Sequence, residues 1–305
     1  MHASEHRNVQ HAPVTKAVIP AAGRGTRLRP ATKSQPKEML PVGRKPTIQY
    51  VVEELFTAGL EDIIIITGWY KRAIEDHFDL NHGADLETEP FLSNDVFRGR
   101  DLNRHLFYVR QRRQAGLADA VLHGSAFVGK EPFVVALGDT IIYTPQGVPL
   151  VKRLIEAHRA IGAAATIAVE PVRPEEVKKY GIVAPKAETE GVFEIVDIIE
   201  KPSPQEAPSH FAVASRYVFE AVIFDMIRRI GPGVGGELQL TDAIRLLLRE
   251  GYPVWCVRLA PDEIRYDIGN FVTYYRAFID MALRDPEVGP KIGAYLRTVV
   301  TTSER

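Results

Sequence analysis

A short loop near the start of this 305-residue sequence combines two glycines with several cations. Gly23 and Gly25 follow an apolar run, and Arg27, Lys33 and Lys37 stand close behind them. Glycine lets a backbone approach a phosphate closely, with N–H groups that face its oxygens. We therefore predict a site for a ligand with several phosphoryl groups, and we interpret Lys33 as a solvated surface lysine.

Two common phosphate-binding loops do not match this segment. A dinucleotide-binding fingerprint needs a third glycine where Leu28 stands, so a dehydrogenase is disfavoured. A P-loop continues with lysine and then serine or threonine, but Thr26 and Arg27 follow the second glycine here. Because Pro30 and Pro36 argue against one continuous helix, the segment is predicted to be a shaped loop.

Strand patterns alternate with helical patterns on both sides of this loop. Apolar and β-branched runs predict strands at residues 16–20, 63–66, 133–137, 165–169, 193–196 and 253–257. Apolar residues at helical spacing predict helices at residues 47–60, 148–161 and 242–250, whereas residues 81–103 indicate an irregular surface excursion. The alternation is typical of an α/β fold, a mostly parallel sheet with helices on both faces. Ligands of such sheets bind beyond the carboxyl ends of the strands, which is where the glycine loop lies.

The composition argues against several classes of partner. A net charge of −1 provides no broad positive field for nucleic acid or an acidic membrane. No apolar run has the length needed to cross a bilayer, and residues 1–15 lack the apolar core of a secretory signal. The one cysteine, Cys256, lies in an apolar strand pattern and is interpreted as packed rather than catalytic. We expect a cytoplasmic protein that binds neither nucleic acid nor membrane.

The loop and several later motifs resemble those of the bacterial UTP–glucose-1-phosphate uridylyltransferases. The first motif comprises residues 19–27 (IPAAGRGTR), 30–33 (PATK) and 36–42 (PKEMLPV). Further matches follow in the same order at residues 48–53 (IQYVVE), 109–111 (VRQ), 180–183 (YGIV), 199–202 (IEKP), 236–244 (GELQLTDAI) and 266–270 (YDIGN). The resemblance extends over roughly residues 16–278, which is nearly the whole chain.

This resemblance implies a fold, an activity and an assembly. The expected fold is a Rossmann-like, mostly parallel sheet with a smaller β-rich lid that binds the sugar. A nucleotidyltransferase domain at residues 16–285 is expected between a flexible tail, residues 1–15, and a C-terminal helical segment and tail, residues 286–305. The implied reaction transfers a uridylyl group from UTP to glucose 1-phosphate with Mg²⁺ as cofactor and gives UDP-glucose and pyrophosphate. The implied assembly is a homodimer or homotetramer.

The resemblance also assigns a nucleotide-binding set. Its expected members are Ala22, Gly23, Gly25, Thr26, Gln111 and Gly116. The backbone of Ala22 and Gly23 is expected to contact the base, and Gly25 and Thr26 are expected to lie against the phosphates. Gln111 resembles the glutamine that reads the pyrimidine edge.

A second implied set carries the chemistry and binds the sugar phosphate. Asp139 and Asp267 resemble the two magnesium ligands, and Arg27 and Lys37 resemble the residues that hold the triphosphate and stabilise departing pyrophosphate. Lys201 resembles the lysine that binds the phosphate of the sugar. Glu200 and the Gly181 backbone are implied to contact sugar hydroxyls. Residues 237–239 either contact the sugar or only begin the next helix.

Several positions depart from the family pattern and keep alternatives open. Arg112 stands where glycine usually follows the glutamine, Ala118 replaces a second glycine, and Ser215 stands where glycine commonly precedes Arg216. Residues 116–118 and 137–140 also resemble the glucose-1-phosphate thymidylyltransferases. A thymidylyltransferase or another pyrimidine-nucleotide sugar pyrophosphorylase is therefore the alternative within enzymes. A non-catalytic regulator that binds sugar nucleotides is the alternative from another class, and it predicts missing metal or phosphate ligands.

Overall fold

The fold is organised around one nine-stranded sheet with two small sheets beside it. The computed structural model describes residues 12–79, 97, 105–145, 147–187 and 190–303. The described strands are, in chain order, β1 (Lys16–Pro20), β2 (Pro41–Val42), β3 (Lys45–Pro46), β4 (Asp62–Thr67), β5 (Leu106–Arg110), β6 (Phe133–Ala136), β7 (Thr140–Tyr143), β8 (Ala165–Pro171), β9 (Gly181–Pro185), β10 (Val192–Glu200), β11 (Phe211–Phe219), β12 (Val254–Arg258) and β13 (Ile264–Asp267).

The large sheet has the order β5-β4-β1-β6-β11-β8-β12-β10-β9. Strands β5, β4, β1 and β6 are parallel, and β8 is parallel to β12. Strand β11 is antiparallel to both of its neighbours, and β10 is antiparallel to β12 and β9. The predicted α/β fold is confirmed, but the sheet is mixed rather than mostly parallel, since four of its eight neighbouring strand pairs are parallel and four are antiparallel. Its parallel half carries the glycine loop at the end of β1.

Helices cover this sheet, and short 3₁₀ turns shape its loops. The described helices are α1 (Thr47–Thr57), α2 (Arg72–Phe78), α3 (Leu117–Leu122), α4 (Ser125–Val128), α5 (Leu150–Ile161), α6 (Ile223–Arg229), α7 (Leu240–Arg249), α8 (Phe271–Arg284) and α9 (Gly289–Ser303). The 3₁₀ turns are Thr26–Leu28, Lys37–Met39, Pro174–Lys179 and Val234–Gly236. None of the described helices is both long and apolar enough to cross a membrane.

Successive side chains of the central strands enter two different cores. Ile19 of β1 packs with Val51 of α1 in one core, while its neighbour Val18 packs with Val121 of α3 in the other. Side chains of a strand point alternately to opposite faces, so a strand covered on both sides needs a continuous apolar run. The Ile-rich sequence of β4 meets this requirement.

A third core joins the elements that surround the glycine loop. Leu28, just after the loop, packs with Ile141 of β7, Tyr266 of β13 and Ala277 of α8. Strands β7 and β13 pair antiparallel with each other, outside the large sheet. This cluster therefore fixes β7 and β13, whose ends carry Asp139 and Asp267, against the loop.

The sequence patterns located many of these elements. The predicted helices at residues 47–60 and 148–161 are α1 and α5, and the predicted strands at residues 63–66 and 165–169 are the centres of β4 and β8. Strands β5, β7 and β11 were not among the predicted elements. Residues 1–11 of the predicted tail lie outside the described residues, as does the predicted excursion at residues 81–103 apart from Phe97.

Candidate active site

A cavity of about 720 Å³ opens beyond the carboxyl ends of several strands. Its lining includes Pro20 at the end of β1, Gln111 just after β5, Leu137 just after β6, and Glu200 at the end of β10. Open α/β sheets bind ligands at this edge. The cavity therefore lies where the strand pattern predicts a site.

Most of the residues predicted to bind substrate or react face this one cavity. They are Ala22, Gly23, Gly25, Thr26, Arg27, Lys37, Gln111, Gly116, Asp139, Glu200 and Lys201. Asp267 and Gly181 do not line it, but each lies against a residue that does. A Cβ atom added to the lining residue Gly269 would lie 2.9 Å from Asp267 Oδ1, and one added to Gly181 would lie 3.4 Å from Glu200 Oε2.

The shape of the glycine loop depends on a left-handed residue and a threonine. Gly25 has φ +63°, a conformation that glycine adopts without steric cost. The hydroxyl of Thr32 donates to the carbonyl oxygen of Gly25 at 2.7 Å. A Cβ at Gly23 would lie 3.6 Å from Lys37 Cε, so the lysine side chain lies directly against the loop. The loop thus places its own backbone and one ammonium group on the same side of the cavity.

Lys37 and Asp139 form an ion pair at the floor of the cavity. Lys37 Nζ donates to Asp139 Oδ2. Burial disfavours a charge on Lys37, but the carboxylates of Asp139, Glu38 and Asp267 outweigh it and raise the pKa of the lysine. Burial also disfavours a charge on Asp139, yet Lys37 holds the pKa of that carboxyl below its usual value. Both groups are therefore charged near neutral pH.

Asp139 and Asp267 lie side by side although they are distant in the chain. Asp139 immediately precedes β7, and Asp267 ends β13 opposite Thr140. The backbone N–H of Ile268 donates to the carbonyl oxygen of Asp139 at 2.9 Å. Burial and the charge of Asp139 raise the pKa of Asp267, against the attraction of cations that include Lys37 and Arg27. The two carboxylates and two predicted phosphate-binding cations thus share one electrostatic environment.

The donor chemistry of the two carboxylates fits a magnesium ion. Magnesium prefers oxygen ligands and usually keeps several waters or phosphate oxygens beside one or two carboxylates. The described part of the chain holds no group of three or more histidine, cysteine, aspartate or glutamate side chains arranged for a metal. Asp139 and Asp267 would therefore hold such an ion together with a phosphate ligand. A cation there would also relieve the repulsion from Asp139, which adds to burial in raising the pKa of Asp267.

Glu200 and Lys201 place a carboxylate and an ammonium group next to each other at the end of β10. Lys201 Nζ lies 3.0 Å from Glu200 Oε1, and Thr241 Oγ1 donates to Glu200 Oε2 at 2.7 Å. Gly181 pairs with Glu200 across the β9–β10 ladder, and Lys201 N donates to the Tyr180 carbonyl at 3.0 Å. The arrangement offers a cation for a phosphate and an acceptor for sugar hydroxyls.

Gln111 and Gly116 form another wall of the cavity. The buried Gln111 amide donates to Asp119 Oδ2 at 2.6 Å and to the Gly116 carbonyl at 3.3 Å, which fixes its orientation. Gly116 has φ +120°, and a Cβ there would lie 2.4 Å from the Leu238 carbonyl oxygen. Position 116 therefore requires glycine for both conformation and space.

The segment at residues 237–239 lies between the cavity and the next helix. Glu237 and Gln239 line the cavity. Helix α7 begins directly afterwards at Leu240. The Leu238 backbone also accepts from Ala118 N at 3.0 Å and donates to Ala115 O at 2.7 Å, which binds this segment to the Gly116 wall.

Sequence reasoning missed Gln114, which joins the two sides of the cavity. Its Nε2 donates to the Ala22 carbonyl at 2.6 Å, and its Oε1 accepts a hydrogen bond from Arg24. Gln114 stands only a few residues after the recognised motif at residues 109–111, but outside it. No local pattern marks its long-range partner.

A buried ion pair between Glu38 and Lys71 was also missed. Glu38 Oε2 and Lys71 Nζ lie 2.5 Å apart, and both side chains are almost entirely buried. Glu38 lines the cavity, and the charge of Lys71 contributes to the low pKa of Asp139. Glu38 lies inside the matched motif at residues 36–42, so a signal was present for it, whereas Lys71 lies in no matched motif.

A second buried pair supports the strand that follows Asp139. Arg216 is fully buried and donates to Glu54 Oε2 at 2.7 and 3.0 Å and to the Thr140 carbonyl at 2.9 Å. The preceding residue, Ser215, has φ +62°, which explains in physical terms why glycine suits this position. Arg216 therefore links helix α1 to the backbone next to Asp139.

Cys256 takes no part in this site. It lies buried within β12, and burial raises the pKa of its thiol well above the usual value. A thiol in such surroundings is a poor nucleophile. The interpretation of Cys256 as a packed residue is confirmed.

The chain is similar to one family over most of its length. Residues 16–283 match the nucleotidyl transferase family. A UTP–glucose-1-phosphate uridylyltransferase of Bacillus subtilis is 43% identical over 292 residues, which are 94% of this chain and 96% of that protein.

Solved structures show the same similarity in three dimensions. A UDP-glucose pyrophosphorylase complexed with UDP-glucose has a TM-score of 0.79 and 37% identity, and the match covers 87% of this chain and 97% of the other. A UTP-bound UGPase from Acinetobacter baumannii has a TM-score of 0.80 and 33% identity, with 93% and 98% covered.

Proposed function

Since the chain belongs to the nucleotidyl transferase family, we propose that it transfers a uridylyl group from UTP to glucose 1-phosphate, giving UDP-glucose and pyrophosphate. The observation that carries the proposal is the convergence of charged groups on one cavity. Lys37, Asp139 and Asp267 interact at one end of it, and Glu200 and Lys201 line it as well. A non-catalytic regulator is expected to lack metal or phosphate ligands, but all of these charged residues are present in this chain.

The reaction needs no covalent intermediate with the protein. An oxygen of the sugar phosphate attacks the α-phosphorus of the nucleotide in line. The bond from the α-phosphorus to the bridging oxygen of the β-phosphate breaks, and pyrophosphate leaves with that electron pair. Such a transfer depends mainly on positioning and on stabilisation of charge.

The proposed roles are those that the family resemblance implies, and the positions of the groups around the cavity support them. Lys201 orients the attacking phosphate, and Glu200 accepts hydrogen bonds from the sugar. Arg27, Lys37 and the amides of Gly25 and Thr26 hold the triphosphate and stabilise the leaving pyrophosphate. Gln111, with the loop backbone at Ala22 and Gly23, recognises the base.

Magnesium is the cofactor in this proposal, with Asp139 and Asp267 as its ligands. An ion held by these two carboxylates would supply positive charge that neutralises the phosphates. In its absence the Lys37 ammonium compensates the two carboxylates, as the raised pKa of the lysine reflects. With the ion bound, the same ammonium is available to the leaving pyrophosphate.

The decisive experiment measures pyrophosphate release with UTP, dTTP and CTP, each combined with glucose 1-phosphate, galactose 1-phosphate or no sugar phosphate. We expect the highest kcat/KM for UTP with glucose 1-phosphate and no release without a sugar phosphate. A preference for dTTP would replace the uridylyl assignment with the thymidylyl alternative. No release with any pair would contradict the enzymatic proposal.

We also propose that the chain forms a homodimer or homotetramer. The uridylyltransferase resemblance supports this, and exposed apolar side chains on α8 and α9, including Tyr275 and Tyr295, provide surface for self-association. The molar mass from light scattering checks it. A monomeric mass at assay concentration would contradict it.

A further inference from the structure

A second cavity lies against the other side of the glycine loop. Its volume is about 590 Å³, within the range of small-molecule sites. It shares Gly23, Arg24 and Gln114 with the first cavity. Its remaining lining residues are Arg29, Thr32, Lys33, Gln35, Pro36, Trp69, Tyr70, Lys71, Arg112 and Arg113.

All charged residues in the described lining of this second cavity are arginines or lysines, and none is an aspartate or glutamate. Arg29, Lys33, Arg112 and Arg113 are exposed, and the described residues provide no ion-pair partner for any of them. Clustered like charges repel one another, so such a set is stabilised by an anion. The ligand is expected to carry several negative charges.

Two aromatic rings stand beside these cations and face solvent. The side chains of Trp69 and Tyr70 are 64% and 89% exposed. The indole N–H of Trp69 donates to the Arg112 carbonyl at 3.3 Å, which fixes the ring next to the cations. Tyr70 has φ +61°, an uncommon conformation for a residue with a side chain. Exposed rings beside cations are the arrangement on which a nucleobase stacks while its phosphates are neutralised.

We propose that the second cavity binds a nucleoside polyphosphate. Its phosphates contact Arg29, Arg112 and Arg113, and its base stacks on Trp69 or Tyr70. The cavity volume of about 590 Å³ suits one nucleotide rather than a nucleic acid strand. The described lining of this cavity has no carboxylate to bind magnesium. The site is therefore suited to binding a nucleotide rather than to phosphoryl transfer, and it goes beyond the transferase function proposed above.

The test is equilibrium dialysis of the whole chain with ADP in EDTA, so that no metal assists binding in the first cavity. The double variant Arg29→Ala/Arg113→Ala is expected to raise the Kd for ADP about tenfold or more. Lys152→Ala/Arg159→Ala removes two exposed positive charges from helix α5 and is the matched control. The control is expected to bind ADP as the wild type does.

Three further arms separate the possible sources of binding. ADP is expected to quench the fluorescence of Trp69, one of the two tryptophans in the chain, and Trp69→Phe is expected to remove that change. Lys37→Ala is expected to keep ADP binding, because Lys37 belongs to the first cavity. Inorganic tripolyphosphate is expected to bind more weakly than ADP, because it lacks a base.

The proposal is overturned by an unchanged Kd in Arg29→Ala/Arg113→Ala or by an equal loss in Lys37→Ala, which would place ADP in the first cavity. Tripolyphosphate binding as tight as that of ADP would also overturn it, since no base would then be recognised. These measurements involve no turnover. Failure here is therefore distinguishable from failure of pyrophosphate release with UTP.

Discussion

The two cavities on either side of the glycine loop both present cations, but their cations have different surroundings. In the first, Lys37 faces Asp139 and Asp267, and Lys201 faces Glu200. In the second, the described lining holds arginines, lysines and two exposed aromatic rings without any carboxylate. Carboxylates beside cations suit phosphates bridged by a metal, whereas cations alone suit phosphates that are only bound. The difference indicates that carboxylate placement, rather than positive charge, separates catalysis from binding in this molecule.

The wall between the cavities is itself an ion pair. Glu38 lines the first cavity and Lys71 lines the second, and their charged atoms lie 2.5 Å apart with both side chains buried. Each cavity thus presents one end of the same pair. Changes on one side are therefore expected to affect the other through this contact.

The largest expected effect on activity comes from Asp139, a carboxylate of the first cavity with no counterpart in the described lining of the second. Asp139→Asn is expected to lower kcat by about 10³-fold or more, because the neutral amide neither holds magnesium well nor compensates Lys37. The measurement is pyrophosphate release as a function of Mg²⁺ concentration, with circular dichroism as the check on folding. A folded variant with an unchanged magnesium response would remove Asp139 from the site.

The next largest effect on activity is expected at Lys201, which lines the first cavity although its side chain is partly exposed. Lys201→Ala is expected to lower kcat/KM by about 10²- to 10³-fold, since the attacking phosphate loses its cation. The fold should survive, because the Lys201 side chain is 43% exposed and a surface ion pair contributes little stability.

Lys179→Ala is the matched control for that variant. The Lys179 side chain is 53% exposed and also pairs with a glutamate, Glu176, at 3.1 Å, but it does not line the first cavity. Its activity is expected to equal that of the wild type. Equal activities for the two alanine variants would show that a surface ion pair is all that Lys201 provides.

A third prediction tests how much the Glu38–Lys71 ion pair between the cavities contributes to the stability of the fold. Lys71→Met leaves the buried Glu38 carboxylate without its cation, and the free energy of unfolding is expected to fall by about 3–5 kcal/mol. The double variant Lys71→Met/Glu38→Met is expected to recover most of that loss, because no charge is then left buried. Urea unfolding measures both. If the free energy of unfolding of Lys71→Met were within about 0.5 kcal/mol of the wild-type value, the ion pair would have no structural role.

How far the sequence predicted this arrangement depends on how local each signal is. The Ile-rich run at residues 63–66 identified β4, because the pattern of a strand covered on both faces is written in neighbouring residues. Strand β11 was missed, since its place between β6 and β8 depends on partners far away in the chain. The same reason hid the contacts of Arg216 with Glu54 and of Lys71 with Glu38.

The candidate site likewise has parts that the local sequence predicted and parts that it did not. The glycine loop and its cluster of cations were readable from composition and spacing, whereas the choice of Arg27 and Lys37 over Lys33 came from family resemblance. The joint presence of Asp139 and Asp267 came from family resemblance, because no local pattern brings the ends of β7 and β13 together. The second cavity was not predicted at all. Trp69 and Arg113 belong to separate loops, and only the folded sheet places them beside Lys33.

The smallest expected effect concerns salt. ADP binding in the second cavity depends on exposed cations, so raising NaCl from about 0.05 to 0.3 M is expected to raise its Kd several-fold as the charges are screened. Magnesium-dependent turnover in the first cavity is expected to change less, because the side chains of its Lys37–Asp139 pair are only 16% and 18% exposed. Dialysis and pyrophosphate release at both salt concentrations test this. Equal salt sensitivity would erase the contrast between the two cavities.

The central claim is that Asp139 and Asp267 act together on one cluster of phosphate oxygens. A double-mutant cycle in kcat with Asp139→Asn and Asp267→Asn tests it most directly. If the two carboxylates act as one unit, the first substitution already removes their shared function and the second removes little more. The kcat of the double variant is therefore expected to be about that of the slower single variant. Losses that multiply across the two single variants would mean that the carboxylates act independently, and would contradict the account.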